Sequence, residues 1–246
     1  MGTPRRKTRA AGVNRPRRTL PRRFFAIDAA SLARSLLGQR LVRELADGTH
    51  LAGIIVETEA YMGVPDRASH AFGGRRTPRN EAMYAEPGTA YVYFTYGMHF
   101  CVNVVGGAKD DPQAVLIRAV EPTEGIGTLR ALRSHGAGRS VPDRDLCRGP
   151  ARLCQAFSID RALNGHDLVA GERLWLEPGP GVSESLVRRS ARIGVAYAGS
   201  WAARRLRWFV RGNPHVSGRA NPPSRAGRTA SGSSGPGRLL PAGSQS

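Results

Sequence analysis

Residues 90–103 read AYVYFTYGMHFCVN, two runs of strand-forming residues separated by Tyr96-Gly97. Read with period two, Tyr91 and Tyr93 share one face of the first run, Val92 and Phe94 take the other, and the glycine supplies a turn. Strands this close in sequence pair as an antiparallel hairpin, because parallel neighbours need a crossover of a dozen or more residues. Five of the chain's 16 aromatic residues lie between Tyr91 and Phe100. Such a surface either roofs a core or meets a partner.

The remaining pattern agrees with an antiparallel sheet. Asp28 can cap a helix to about Leu37 that carries Leu32, Leu36 and Leu37 on one side; QRLVREL then reads as a strand and ADGTH as a turn. LAGIIVETEAY is a second strand, dense in β-branched residues, with two carboxylates and a tyrosine at its end. Beyond the hairpin come a strand AVLIRAVEP, a helix opened by Pro122 to about Arg133, and a short helix GPARLCQAF. ERLWLEPG, RIGVAYAG and RLRWFVRG read as further strands. Residues 62–88, with GGRRTPRN inside, form a loop too long to be a mere connector and so a candidate functional loop. The expected fold is α+β, a single domain over residues 24–217 with a curved, largely antiparallel sheet and a protruding β-hairpin.

The formal net charge is +18 over 246 residues, and it is unevenly spread. Residues 1–23 hold nine basic side chains and residues 218–246 hold four, with no acid in either; the body keeps +5. Arginine-, proline-, glycine- and serine-rich ends of this kind bury too little apolar surface to fold, so both are expected to be disordered basic tails. A basic body with basic arms suits a polyanion, which makes nucleic acid the leading partner. No apolar run approaches a membrane span and no secretion signal is recognisable; three cysteines, Cys101, Cys147 and Cys154, are odd in number and lack zinc-type pairing. An intracellular, reduced, metal-free monomer without a cofactor is expected.

Three sets of residues carry candidate chemistry. In VETEAY, alternation puts Glu57, Glu59 and Tyr61 on one face beside the long loop, and periodicity does not choose between the two glutamates. Arg118, inside VLIRAV, is an arginine in an apolar strand and calls for a specific anion. His70 and Asn103, a lone histidine and an amide in CVNVV, are by themselves as compatible with structure as with function.

Together these stretches resemble a known family, the alkyladenine (3-methyladenine, methylpurine) DNA glycosylases. From about Leu32 to Ser217, VETEAY, HAFGGRRTPRN, PGTAYVYFTYGM, FCVN, IRAVEP, CRGPARLCQA and RWFVRGNPHVS recur in the family's order. The resemblance implies an enzyme that binds double-stranded DNA, inserts its hairpin into the minor groove, rotates an alkylated purine into a pocket and hydrolyses the N-glycosylic bond, with deaminated purines a further substrate class. Carried over residue by residue, it makes Glu59 the general base, Arg118 and a backbone carbonyl of Ile193 its partners in holding the attacking water, and Tyr61, His70 and Tyr93 the walls around the base. Asn103 would crowd the exocyclic amine of guanine, and Tyr96 would intercalate. Thr95, His99 and the loop VVGGAKDD depart from the mammalian pattern, which bears on substrate range more than on reaction type. Two other classes remain: a non-enzymatic nucleic-acid-binding protein using the hairpin as a stacking platform, and a hydrolase or transferase of free nucleosides. Neither gives a task to a glutamate and an arginine on apolar strands together with basic arms.

Overall fold

The computed structural model describes residues 18–95, 97–134 and 140–218. Eight strands form one open antiparallel sheet: β1 (Arg40–Glu44), β2 (His50–Tyr61), β3 (Ala90–Thr95), β4 (His99–Gly106), β5 (Gln113–Glu124), β6 (Leu174–Glu177), β7 (Val187–Ser190) and β8 (Arg207–Val210). The order is β3-β4-β5-β2-β1-β6, with β8 on β2 and β7 on β8. β2 spans 12 residues, and its outer edge is shared: His50 to Ile54 pair with β1, Glu57 to Glu59 with β8. The sheet forks there, and the fork brings the C-terminal strands to the end of VETEAY.

Four helices, α1 (Arg22–Phe25), α2 (Ala29–Leu36), α3 (Ile126–Ser134) and α4 (Pro150–Ala156), are present among the described residues. Asp28 caps α2 by accepting from the Ala30 and Ser31 amides, as its position before an apolar-periodic run requires. Leu32 and Leu36, one turn apart, then bury against Ile55, Ile117 and Val120 of the sheet. Each such leucine is worth about 1.5–3 kcal/mol of apolar burial.

The hairpin is β3–β4, with Ala90 to Thr95 opposite His99 to Val104. Gly97 has φ +68°, a left-handed backbone that a side chain would strain. Tyr96 itself lies outside the described residues.

Three sequence expectations are corrected. Pro122 does not open a helix: β5 runs on to Glu124, Pro122 sits opposite Gly53 beside a register shift where a missing N–H is tolerated, and α3 starts after Gly125. RIGVAYAG is not a strand. Gly194 and Gly199 take positive φ, Arg192 is claimed by Asp66, and the segment ends in a 3₁₀ turn, Ala196–Trp201, while the strand forms earlier as β7. Finally, the folded body begins before residue 24. Leu20 is in the core with its amide on Leu176, and Arg22 bonds Asp167, so these two residues, expected in the arm over residues 1–23, belong to the folded body. Residues 1–17 and 219–246 lie outside the described residues.

Two register shifts flank Glu57 in the central β2–β5 ladder. They turn two successive residues of each strand the same way: Val56 packs with Ala119, Phe209 and Val216, and Glu57 bonds Arg118. Ile55, Ala60, Ile117 and Val120 stay in the main core, and Thr58 Oγ1 donates to Ala33 O of α2 at 2.8 Å. Such bulges re-aim side chains, here toward the face away from α2.

Candidate active site

On that face Glu57 and Glu59 both have 0% exposure, and Arg118 joins them. Arg118 Nε donates to Glu57 Oε1 at 2.9 Å and Nη1 to Glu59 Oε2 at 3.1 Å. Glu57 also accepts from Arg207 Nε, Ser217 Oγ and the Ser217 amide, at 2.7, 2.9 and 2.6 Å. Glu59 accepts from the Tyr61 hydroxyl on Oε2 at 3.2 Å and from the Ile193 amide on Oε1 at 2.7 Å. A carboxylate offers about four acceptor positions, two on each oxygen; Glu57 meets four donors, three of them crowded on Oε1 and one on Oε2, whereas Glu59 meets three and keeps a position on Oε1. Burial raises the Glu59 pKa above its ordinary 4.5, with the charge of Arg118 and the Ile193 amide pulling against it. Burial opposes the charge on Arg118, but Glu59 and Glu57 outweigh it and raise its pKa.

A cavity of about 200 Å³ opens next to Glu59. Its lining includes Tyr61, Arg118 and Ile193, the three residues bonded to Glu59, so the carboxylate lies one side chain behind the cavity wall. His70, Tyr91, Tyr93 and Asn103 line it too. Tyr91 and Tyr93 project from β3 as alternation requires, and His70 meets both rings edge-on, with centroids 6.0 and 4.6 Å apart. His70 Nδ1 lies 2.7 Å from the Tyr91 hydroxyl. Burial, and then the charges of Arg79 and Arg75, lower the His70 pKa to about 4, so the imidazole is neutral at neutral pH. Burial and the Glu59 charge push the Tyr61 hydroxyl well up, so it stays a donor.

One side-chain amide ties together the middle of the long loop. Asn80, 2% exposed, accepts from the Thr77 amide and hydroxyl and donates to His70 O and Arg75 O, which ties GGRRTPRN to the histidine's backbone. Asn103 donates to Tyr91 O at 3.0 Å, so one of its protons is already committed across the hairpin.

All the described residues singled out in the sequence converge: Tyr61, His70, Tyr93, Asn103, Arg118 and Ile193 share one cavity, with Glu59 behind it. Ile193 contacts Glu59 through its amide, a bond beyond the role toward the attacking water that the resemblance implies for its carbonyl. Tyr96, assigned to intercalation, is outside the described residues. Sequence reasoning missed Arg207 and Ser217 on Glu57 and the Asp66–Arg192 pair; their partners are distant in the chain, and nothing local marks them. Lys109, followed in sequence by Asp110 and Asp111, faces Glu86 at 3.6 Å and lies outside the cavity lining. Among the described residues no cluster of histidine, cysteine and acidic side chains could hold a metal ion, and no helix is long and apolar enough to cross a membrane.

Comparison with known proteins places this arrangement among relatives. A family model described as Methylpurine-DNA glycosylase (MPG) matches residues 23–214. The DNA-3-methyladenine glycosylases of Mus musculus and Homo sapiens are each 51% identical, over 200 and 199 residues, or 79% of this chain. The chain spans 60% and 66% of the length of those two proteins. A Clostridium botulinum (strain Langeland / NCTC 10281 / Type F) protein named "Putative 3-methyladenine DNA glycosylase" is 42% identical over 201 residues, 80% of this chain and 98% of its own length.

Proposed function

As the chain belongs to the methylpurine-DNA glycosylase family, we propose that it is a base-excision-repair hydrolase that takes an alkylated purine from double-stranded DNA and cleaves its N-glycosylic bond, leaving an abasic site. One observation carries the reading of the site: Glu59 is fully buried, bonded by three residues of an aromatic cavity, and has one acceptor position left. A water on that position would lose a proton to the carboxylate as it attacks the sugar, while the same negative charge favours the oxocarbenium-like transition state. Arg118, pinned by Glu57, holds Glu59 in place and favours its ionised form against burial.

Removing a nucleotide from the stack costs a few kcal/mol, and stacking on aromatic side chains returns roughly 1–3 kcal/mol per base. Tyr61, His70 and Tyr93 are among the rings of the cavity wall and would provide it. An alkylated purine is cationic, so it gains on electron-rich tyrosines and already carries a good leaving group. The neutral His70 adds no repulsion. Asn103 on the cavity wall would exclude the exocyclic amine of guanine, and Tyr96 would fill the gap left in the duplex. The basic arms would add salt-sensitive search affinity.

The nucleophile is water rather than a protein amine, since Lys109, the single lysine of the described residues, is exposed and ion-paired away from the cavity. The test is incubation with duplexes bearing one methylated adenine, one hypoxanthine or only normal purines. Free base and an intact but alkali-labile strand are expected from the methylated duplex, without covalent trapping by borohydride. No base release, or a trapped protein–DNA adduct, would refute the reading.

A further inference from the structure

Ile193 poses a positioning problem. Its amide must stay on Glu59, yet the residue is 41% exposed and its side chain is not buried in the core. The anchor is its neighbour. Arg192 and Asp66 are both wholly buried and paired through two bonds, Nη1 to Oδ2 at 2.6 Å and Nη2 to Oδ1 at 2.9 Å. Arg192 Nη1 also donates to Ala60 O at 2.9 Å, and its guanidinium lies 4.7 Å from the Tyr61 ring centroid. Asp66 accepts in addition from the Met62 and Ala68 amides, at 3.0 Å each, which fills its acceptor positions. One ion pair thus joins the end of β2, the start of the long loop and the segment carrying Ile193.

We infer that the Asp66–Arg192 pair is the positioning device of this site: it holds the Ile193 amide against Glu59 and the Tyr61 ring against the cavity. The inference rests on the reading of Glu59 as the general base, and it specifies what controls that base. The charged and titratable groups facing Glu59 are Arg118 from β5, Glu57 and Tyr61 from β2, Arg192 from the loop, Cys101 from β4, and Arg207 from β8, which stands opposite Glu59 and is bonded to Glu57. Arg118 stays in place through Glu57 when the pair is broken. What is lost is the amide of Ile193, a donor that favours the ionised carboxylate. Glu59 then holds its proton to higher pH.

The test uses the full chain and reads Glu59 directly, by infrared titration of its carboxyl with Glu59→Gln to assign the band, in wild type, Arg192→Lys and the neutral pair Asp66→Asn/Arg192→Gln. Folding is checked by circular dichroism. The titration midpoint is expected to rise by about one pH unit in the double variant and by less in Arg192→Lys, which keeps the charge but not the fork. The acid limb of single-turnover excision of a methylated purine should move with it, a loss of roughly tenfold below the limb, since one unit is a tenfold change in the ionised fraction. A purely structural role would lower the active fraction without moving either midpoint, and folded variants with an unmoved carboxyl titration would overturn the inference. So would a wild-type Ile193 amide unprotected from hydrogen exchange, a measurement that needs no variant to fold. Because the carboxyl titration requires no turnover, absence of excision would count against the proposed function and leave this inference judged by the carboxyl titration alone.

Discussion

Glu57 and Glu59 lie two residues apart on β2, both wholly buried and both on Arg118, and they end in different surroundings. Around Glu57, β8 and residue 217 close in, and Arg118, Arg207 and Ser217 bring four donors to it. Around Glu59 the donors come from the wall of a cavity, and one position stays open. The same side chain on the same face becomes a structural counter-ion in one place and a candidate base in the other. The number and origin of its donors make the difference.

Exchanging each carboxylate for an amide is the strongest way to break this comparison. Glu59→Gln should leave a folded protein that binds a methylated duplex but excises about 10²–10⁴-fold more slowly, the usual range for an acid–base group. Glu57→Gln should do the reverse. Removing one partner of a buried ion pair typically costs 3–5 kcal/mol, so denaturant unfolding should show a loss of about that size while the folded fraction retains far more activity. A folded, inactive Glu57→Gln beside an active Glu59→Gln would invert the assignment.

pH sharpens the contrast. Burial raises the folded pKa of Glu59 above 4.5, so its contribution to stability is fully present below that value and is lost as pH rises through the folded one. Excision moves the other way and should fall as pH drops through the same folded value; Glu59→Gln should flatten both. His70 has the opposite sign. Its pKa is lowered from 6.5 to about 4, so its stability is present above 6.5 and lost as pH falls through about 4, and His70→Gln should remove that slope in unfolding measured between those values.

The smallest effect is expected at Ser217. Ser217→Ala removes one hydroxyl from Glu57 and leaves the amide, so a loss of about 1 kcal/mol is expected, with the excision rate unchanged. A change in rate would mean that the long bond from Arg118 Nη2 to the Ser217 hydroxyl, 3.3 Å, helps to set Arg118 against Glu59.

The legible parts of the chain are those with local signals. α2 was readable from Asp28 and the Leu32–Leu36 spacing, and the hairpin from alternation around Gly97. RIGVAYAG imitated a strand by alternation, but Gly194 and Gly199 take φ values of 80° and 58° and a remote carboxylate holds Arg192. Pro122 imitated a helix start because a missing N–H suits a first helical turn; a register shift served it equally well. Residues of the cavity could be singled out through resemblance, since alternation alone reported only which face they take.

By itself the sequence determined the antiparallel sheet, the capped helix and the shared face of Glu57, Glu59 and Tyr61, because backbone periodicity and capping act over a few residues. Which glutamate is enclosed by donors and which stands behind the cavity was decided only by the tertiary structure. The donors that settle it, on Ile193, Arg207 and Ser217, stand 134, 150 and 160 residues away along the chain. They reach the strand only because β2 is shared between β1 and β8 and because the Asp66–Arg192 pair draws the Ile193 segment inward.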